Sequence, residues 1–184
     1  MRINWIYSAN YNPPPTVDLE LIKSIGPSWG SWKSWRACGT DNVICHDLAQ
    51  GKALLQRAFQ AVCNFYVPRN SYQDLNRPTG VKLYDGNFQE EVDNLEDIIA
   101  MHLASSMSDI VLLVGFDFGK KEPFADKLKQ HRQQNRFGLT HRVIANAPTV
   151  QWVLVDHPTQ LDKSYSELSN LTCDNIDNVL KLLT

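Results

Sequence analysis

Long apolar runs are missing from this chain of 184 residues. The longest, Ile110–Val114, falls far short of the ~18 residues that a membrane span requires, so no membrane partner is expected. Charge of one sign is missing too: 18 Lys and Arg stand against 20 Asp and Glu, for a formal net charge of −2. Without a chain-wide basic surface, nucleic acid is not an expected partner. Cysteine is sparse. Cys38, Cys45, Cys63 and Cys173 form no C-x-x-C pair and fit no zinc or redox spacing. They are expected as reduced thiols of a cytoplasmic protein, because Met1–Trp5 leads straight into strand-like sequence rather than into a signal peptide. No Gly-x-Gly-x-x-Gly, Walker loop or Gly-x-Ser-x-Gly elbow occurs, which disfavours dinucleotide-dependent hydride transfer, P-loop hydrolysis and elbow-serine chemistry.

What is present is the composition of a globular protein, with 43% hydrophobic and 21% charged residues. The length fits a single domain over 1–184 with a sizeable core. Strand and helix patterns alternate. Strands are expected at Ile3–Tyr7, Asn42–His46, Phe65–Val67, Val81–Tyr84, Asp109–Phe116, Val150–Val155 and Leu168–Thr172. The continuous run Ile110–Val114 suits a central strand buried on both faces. Helices are expected from Thr16 or Asp18 to Ile25, from Asp47 to Asn64, over Phe88–Met107, over Pro123–Arg136 as a solvated polar helix, and over Asn175–Leu183; Arg142–Ala147 is ambiguous. In the Phe88–Met107 helix, Val92, Leu95, Ile98, Ile99, His102 and Leu103 share the expected buried face. This order predicts an α/β fold, a three-layer Rossmann-like sandwich with a mostly parallel sheet.

In such a sheet ligands bind beyond the carboxyl ends of the strands. The residues that follow the expected strands are Ser8 and Asn10, His46 and Asp47, Asp85, the segment Gly115–Gly119, and Asp156 and His157. Asp47, Asp117 and Asp156 would then share one edge, where gathered carboxylates can hold Mg²⁺ or accept hydrogen bonds from sugar hydroxyls. Aspartate is equally a preferred helix cap and turn residue, so each has a purely structural alternative. A carboxylate beside an imidazole can tune it for acid–base work, which makes His46 with Asp47 and His157 with Asp156 the catalytic candidates alongside Asp117. Gly115 and Gly119 bracket Asp117 and would let a ligand approach the backbone closely.

The helix, apolar strand and Gly-Phe-Asp-Phe-Gly turn of Ile98–Gly119 resemble the core of the Rossmann-like bacterial sialyltransferases and the related motility-accessory-factor proteins. That resemblance implies a CMP-activated sugar as ligand and glycosyl transfer as chemistry. The family's catalytic histidine has no counterpart identified here. The overall texture also resembles proteins of marine phages and environmental sequences, which implies nothing about function.

Ser28–Arg36 repeats Ser-Trp-x three times. Read as a helix, it carries Trp29, Trp32 and Trp35 along one drifting face, with Ser28 at a helix start that can receive an anion and Lys33 and Arg36 beside it. The segment is then a stacking platform for a base or sugar, with Ser28 binding the ligand's phosphate. The alternative is core or interface packing, the indoles forming an oligomer or partner surface of a non-enzymatic protein. The functional expectation is a nucleotide- or nucleotide-sugar-binding domain, serving glycosyl or phosphoryl transfer if it is catalytic.

Overall fold

The computed structural model describes residues 1–13, 18–86, 92–118, 126–156 and 161–183. In chain order its strands are β1 (Ile3–Tyr7), β2 (Ser28–Ser31), β3 (Asn42–Ile44), β4 (Asn64–Pro68), β5 (Val81–Tyr84), β6 (Ile110–Val114), β7 (Gln151–Val155) and β8 (Leu171–Asp174). The helices are α1 (Leu19–Ile25), α2 (Trp32–Cys38), α3 (Leu48–Gln56), α4 (Leu95–Ser105), α5 (Lys127–Ala145), α6 (Lys163–Ser166) and α7 (Ile176–Leu183). All eight strands join one sheet in the order β5-β4-β3-β2-β1-β6-β7-β8, and every ladder is parallel. This is a Rossmann-like three-layer sandwich.

Strand alternation sorts the side chains into two layers. On one face Ile6, Trp29, Ile44, Val111, Leu113, Trp152 and Leu154 meet Ile99, Met101 and Ala104 of α4, Ile144 of α5 and Tyr165 of α6. On the other, Trp5, Tyr7, Leu112 and Val114 meet Ile22 of α1 and Val179 of α7. Toward β4, Val43, Cys45, Phe65 and Val67 pack with Leu54 of α3 and with half-buried Trp32 and Trp35 of α2. Trp5, Trp29 and Trp152 are each at most 1% exposed. Burying one indole removes roughly 150–250 Å² from water, a gross gain of about 4–6 kcal/mol.

The chain winds outward from β1 to β5, then returns through α4 to place β6 against β1. The sheet therefore reverses its direction of growth between β1 and β6. The β1–β6 ladder pairs Ile3 with Ile110 and Tyr7 with Val114, so both strands end at the same level. The amide of Ser8 donates to the Val114 carbonyl at 3.0 Å and continues the ladder one step further. Ser8 and Gly115 thus leave the sheet side by side.

Several expected elements differ. Ser28–Arg36 is not one helix. Ser28–Ser31 is the strand β2, and α2 starts at Trp32 behind the Ser31 cap, whose hydroxyl and that of Ser34 form a capping box. Gly30 permits this tight turn, since a Cβ there would lie 2.5 Å from the Ser34 Cβ. α3 stops at Gln56 rather than near Asn64, because the chain turns through Ala58 at φ 52° into a 3-10 turn at Phe59–Ala61. α4 starts only at Leu95, after Asn94 at φ 53°, and His102 is exposed rather than on its buried face. α5 runs on through Arg142–Ala145, burying Thr140 and Ile144. β8 begins at Leu171, later than expected. The expected roles of Thr16, of Phe88–Glu91 and of Pro123–Ala125 concern residues outside those described. No helix among the described residues is long and apolar enough to cross a membrane.

Candidate functional site

Beyond the carboxyl ends of β1 and β6 opens a cavity of about 540 Å³. Ser8 and Asn10 enter it from β1, and Gly115, Asp117 and Phe118 from β6. Asp93 and Asn94 approach from the start of α4, and Lys129, Arg132, Gln133, Arg136, Phe137 and Thr140 from α5. Tyr165 of α6 closes the aromatic end. Its ring lies 4.3 Å from that of Phe118, nearly parallel, with Phe137 edge-on at 4.5 Å. Lys129, Arg132 and Arg136 recur at helical spacing, so α5 turns one cationic stripe toward the cavity. The expected solvated helix is thus also a wall of the candidate site.

Behind this cavity lies Asp97, wholly buried on α4. Its carboxylate accepts the Ala9 amide at 3.1 and 3.2 Å and the Ser8 hydroxyl at 3.2 Å. From the other side Arg136 donates Nη2–H to it at 3.0 Å. Arg136 also donates through Nη1 to the Asp93 carbonyl at 3.1 Å, and Arg132 stands 3.9 Å from the Asp93 carboxylate. Burial pushes the Asp97 carboxyl up to about 6, and Arg136, the Ala9 amide and the Ser8 hydroxyl offset only part of that cost. Asp97 is not among the residues expected from the sequence. The available signal is a charged residue in a helical stripe of apolar and small residues, since Asp97 shares its face with Met101 and Ala104 and all three are buried.

A second cavity of about 510 Å³ adjoins the first and shares Asn10, Asp93 and Asn94 with it. Its other walls include Ser31, Trp32, Lys33, Asp47, Gln50 and Glu96.

The expected residues therefore divide. Ser8, Asn10, Gly115 and Asp117 come together at the first cavity. Asp47 lines the second, where its carboxylate caps α3 by accepting the Gln50 amide at 2.6 Å. Asp156 lines neither. It adopts φ 52°, and its carboxylate accepts the Ile176 amide at 2.9 Å at the start of α7. His46 does not engage Asp47; its Nδ1 lies 3.0 Å from the Tyr84 hydroxyl at the end of β5. Ser28 stands at the opposite, amino edge of the sheet, where its amide and hydroxyl both donate to Asp41 at 2.8 Å. The helix start on which its anion-binding role depended is a strand. Gly119 and His157 lie outside the described residues. Among the described residues no three His, Cys, Asp or Glu side chains form a group that could hold a metal ion. The expected convergence of Asp47, Asp117 and Asp156 on one Mg²⁺ is thus not formed.

The indoles do not make a shared platform. Trp29 is buried against α4, while Trp32 and Trp35 stack at 5.2 Å on the opposite layer, both edge-on to Phe59. The four thiols are free. Burial pushes Cys38 up to about 11 and Cys45 and Cys63 to about 12, which keeps these three protonated at neutral pH.

No protein-family model matches the chain, and a search of curated proteins finds no match.

Proposed function

We propose that the cavity between the ends of β1 and β6 binds a nucleotide or nucleotide-sugar. The observation that carries this reading is its position at the reversal of strand order, with the cationic stripe of α5 facing the strand-end polar groups. In open parallel sheets that reversal is where ligands with phosphate groups are received. Three cations, Lys129, Arg132 and Arg136, line it against two carboxylates, Asp93 and Asp117. The cations suit a phosphate or diphosphate; Asn10 and Asp117 suit sugar or ribose hydroxyls. A volume of about 540 Å³ lies inside the range of roughly 300–1,000 Å³ of small-molecule sites. The adjoining cavity offers room for the rest of a nucleotide-sugar or for an acceptor, with Asn10 common to both. In a glycosyl or phosphoryl transfer, Asp117 would be the strand-end carboxylate available to the reacting sugar or ribose, since Asp93 faces Arg132.

Thermal-shift and calorimetric titration with CMP, UDP and UDP-glucose, each with and without Mg²⁺, test this reading. A ligand at 100 times its dissociation constant stabilises the native state by about 2.7 kcal/mol, which is readily visible as a raised Tm. Lys129→Ala together with Arg132→Ala is expected to remove the effect. The absence of any shift at millimolar concentrations of all three ligands would overturn it.

A further inference from the structure

On the reading that this cavity holds a phosphate group, we infer that Asp97 is the positioning residue that builds its anion-recognition wall. One buried carboxylate ties together two walls that the chain brings from distant places. On the β1 side it takes the Ala9 amide with both oxygens and the Ser8 hydroxyl with one. On the α5 side it takes Nη2 of Arg136, whose Nη1 is spent on the Asp93 carbonyl.

The consequence for Arg136 is geometric. Its side chain is only 21% exposed, and its guanidinium is clamped at two points. A guanidinium carries about five N–H donors in a rigid planar fork, so fixing two of them fixes the direction of the rest. Arg136 lines the cavity, and a fork fixed in this way presents its remaining edge to a ligand without reordering. The same carboxylate sets the turn after β1, and with it the placement of Ser8 and Asn10 on the opposite wall. A lysine in place of Arg136 would lack the planar fork that holds the Asp97 carboxylate and the Asp93 carbonyl at once. Isolated buried carboxylates are costly and are retained where they are paired. Here the pairing places the cost of burial directly behind the candidate ligand.

The charged and titratable groups around Asp97 are few. Arg136 faces it from α5; Arg132 and Asp93 stand one contact further out; the β1 turn offers only neutral donors, Ser8 and the Ala9 amide. Protonation of Asp97 would release the fork, so anion affinity is expected to fall as the solution is acidified through the region near pH 6.

Calorimetric titration of the full chain with inorganic pyrophosphate and with UDP-glucose tests this. Each phosphorus of UDP-glucose carries one ester and one anhydride link and no second ionisable hydroxyl, so its phosphates do not titrate between pH 5 and 8. Asp97→Asn keeps the shape but turns an amide N–H toward Arg136 or the Ala9 amide. It is expected to weaken binding about tenfold or more at pH 7.5, on protein confirmed as folded by circular dichroism. The wild type is expected to lose affinity between pH 7.5 and 5, and Asp97→Asn to show a flat profile. Arg136→Lys, which keeps the charge but not the fork, guards against a variant that fails to fold and is expected to lose about tenfold as well. Wild-type protein that binds neither probe overturns the cavity reading and this inference with it. Wild-type protein that binds while a folded variant matches its affinity and pH profile overturns the inference alone. Pyrophosphate binding without UDP-glucose binding supports the anion wall and removes the nucleotide-sugar.

Discussion

Gly115 leaves β6 at φ 74° directly beneath Tyr11. A Cβ built on Gly115 would lie 2.6 Å from the Tyr11 Cβ and 2.7 Å from its Cδ2. Tyr11 in turn stacks on Tyr7 with ring centroids 5.7 Å apart. The turn that opens the cavity is thus pinned from above by a residue of the β1 loop. Gly115→Ala meets two costs at once, a left-handed backbone that L-residues disfavour by roughly 1–2 kcal/mol and a displaced tyrosine. A loss of about 2–3 kcal/mol is expected from urea denaturation. Tyr11→Gly in the same background, which removes the Cβ together with the ring, should recover about 1 kcal/mol relative to the sum of the two single losses by giving the new methyl group room, and strictly additive effects would contradict the contact.

The buried Asp97 gives folding stability an unusual pH dependence. Burial raises its carboxyl to about 6, against an ordinary 3.8 in the unfolded chain. Between those values the native state binds the proton more tightly than the unfolded state. The contribution of Asp97 is therefore complete below about pH 4 and is lost as pH rises through about 6. A raise of about two units corresponds to roughly 3 kcal/mol. The expected result is that the stability of wild type minus that of Asp97→Asn declines between pH 4 and 6.5 and is level above. Urea midpoints at four pH values would show it, and a difference that does not vary with pH would refute it.

Much of the fold could be read from residue patterns, and the reasons are local. Ile110–Val114 announces a strand buried on both faces, and its neighbour Ile3–Tyr7 does the same with Trp and Tyr. The strand ends were therefore located well enough to bring Ser8, Asn10, Gly115 and Asp117 to one cavity. Failures came where tertiary geometry overrode a local pattern. The threefold Ser-Trp-x spacing suggests a helix, yet Ser28–Ser31 is held as a strand between β1 and β3. Asp156 looks like a strand-end catalytic carboxylate and caps α7 instead, twenty residues along the chain. Asp97 is not legible as a site residue in the sequence, because its partners, Ala9 and Arg136, lie 88 and 39 residues away. No spacing rule connects them.

Asp156 offers a direct contrast between a cap and a catalyst. Its carboxylate accepts the Ile176 amide at 2.9 Å, and its backbone sits at φ 52°. Asp156→Ala loses the cap and leaves an alanine in the left-handed region, for an expected cost of about 1–2 kcal/mol. Asp156→Gly loses the cap but relaxes the backbone and should be the more stable of the two variants. Neither should change the affinity of the β1–β6 cavity for pyrophosphate or UDP-glucose. A glycine variant less stable than the alanine variant, or a change in affinity beyond about twofold, would return Asp156 to the candidate site.

Trp29 anchors a buried polar chain that crosses the central strands. Its Nε1–H donates to the Asn4 Oδ1 at 2.7 Å, Asn4 donates through Nδ2 to the Ser108 hydroxyl at 2.6 Å, and Ser108 donates to the Ala104 carbonyl at 2.6 Å. Asn4 is only 3% exposed, so water does not replace a lost partner. Trp29→Phe strands the Asn4 carbonyl oxygen, which costs about 1–3 kcal/mol, and leaves a partial cavity against Tyr66, whose ring lies 5.1 Å away. Together these predict a loss of about 2–4 kcal/mol. Trp35→Phe, at a half-buried position, should cost less than about 1.5 kcal/mol. The decisive comparison is the double variant Trp29→Phe with Asn4→Leu. Replacing both partners by apolar groups removes the stranded acceptor and leaves Ser108 its bond to Ala104. The double variant should therefore be about 1 kcal/mol more stable than the sum of the two single losses. Simple addition of those losses would mean that the Trp29–Asn4 bond contributes nothing, and the penalty of Trp29→Phe would then be packing alone.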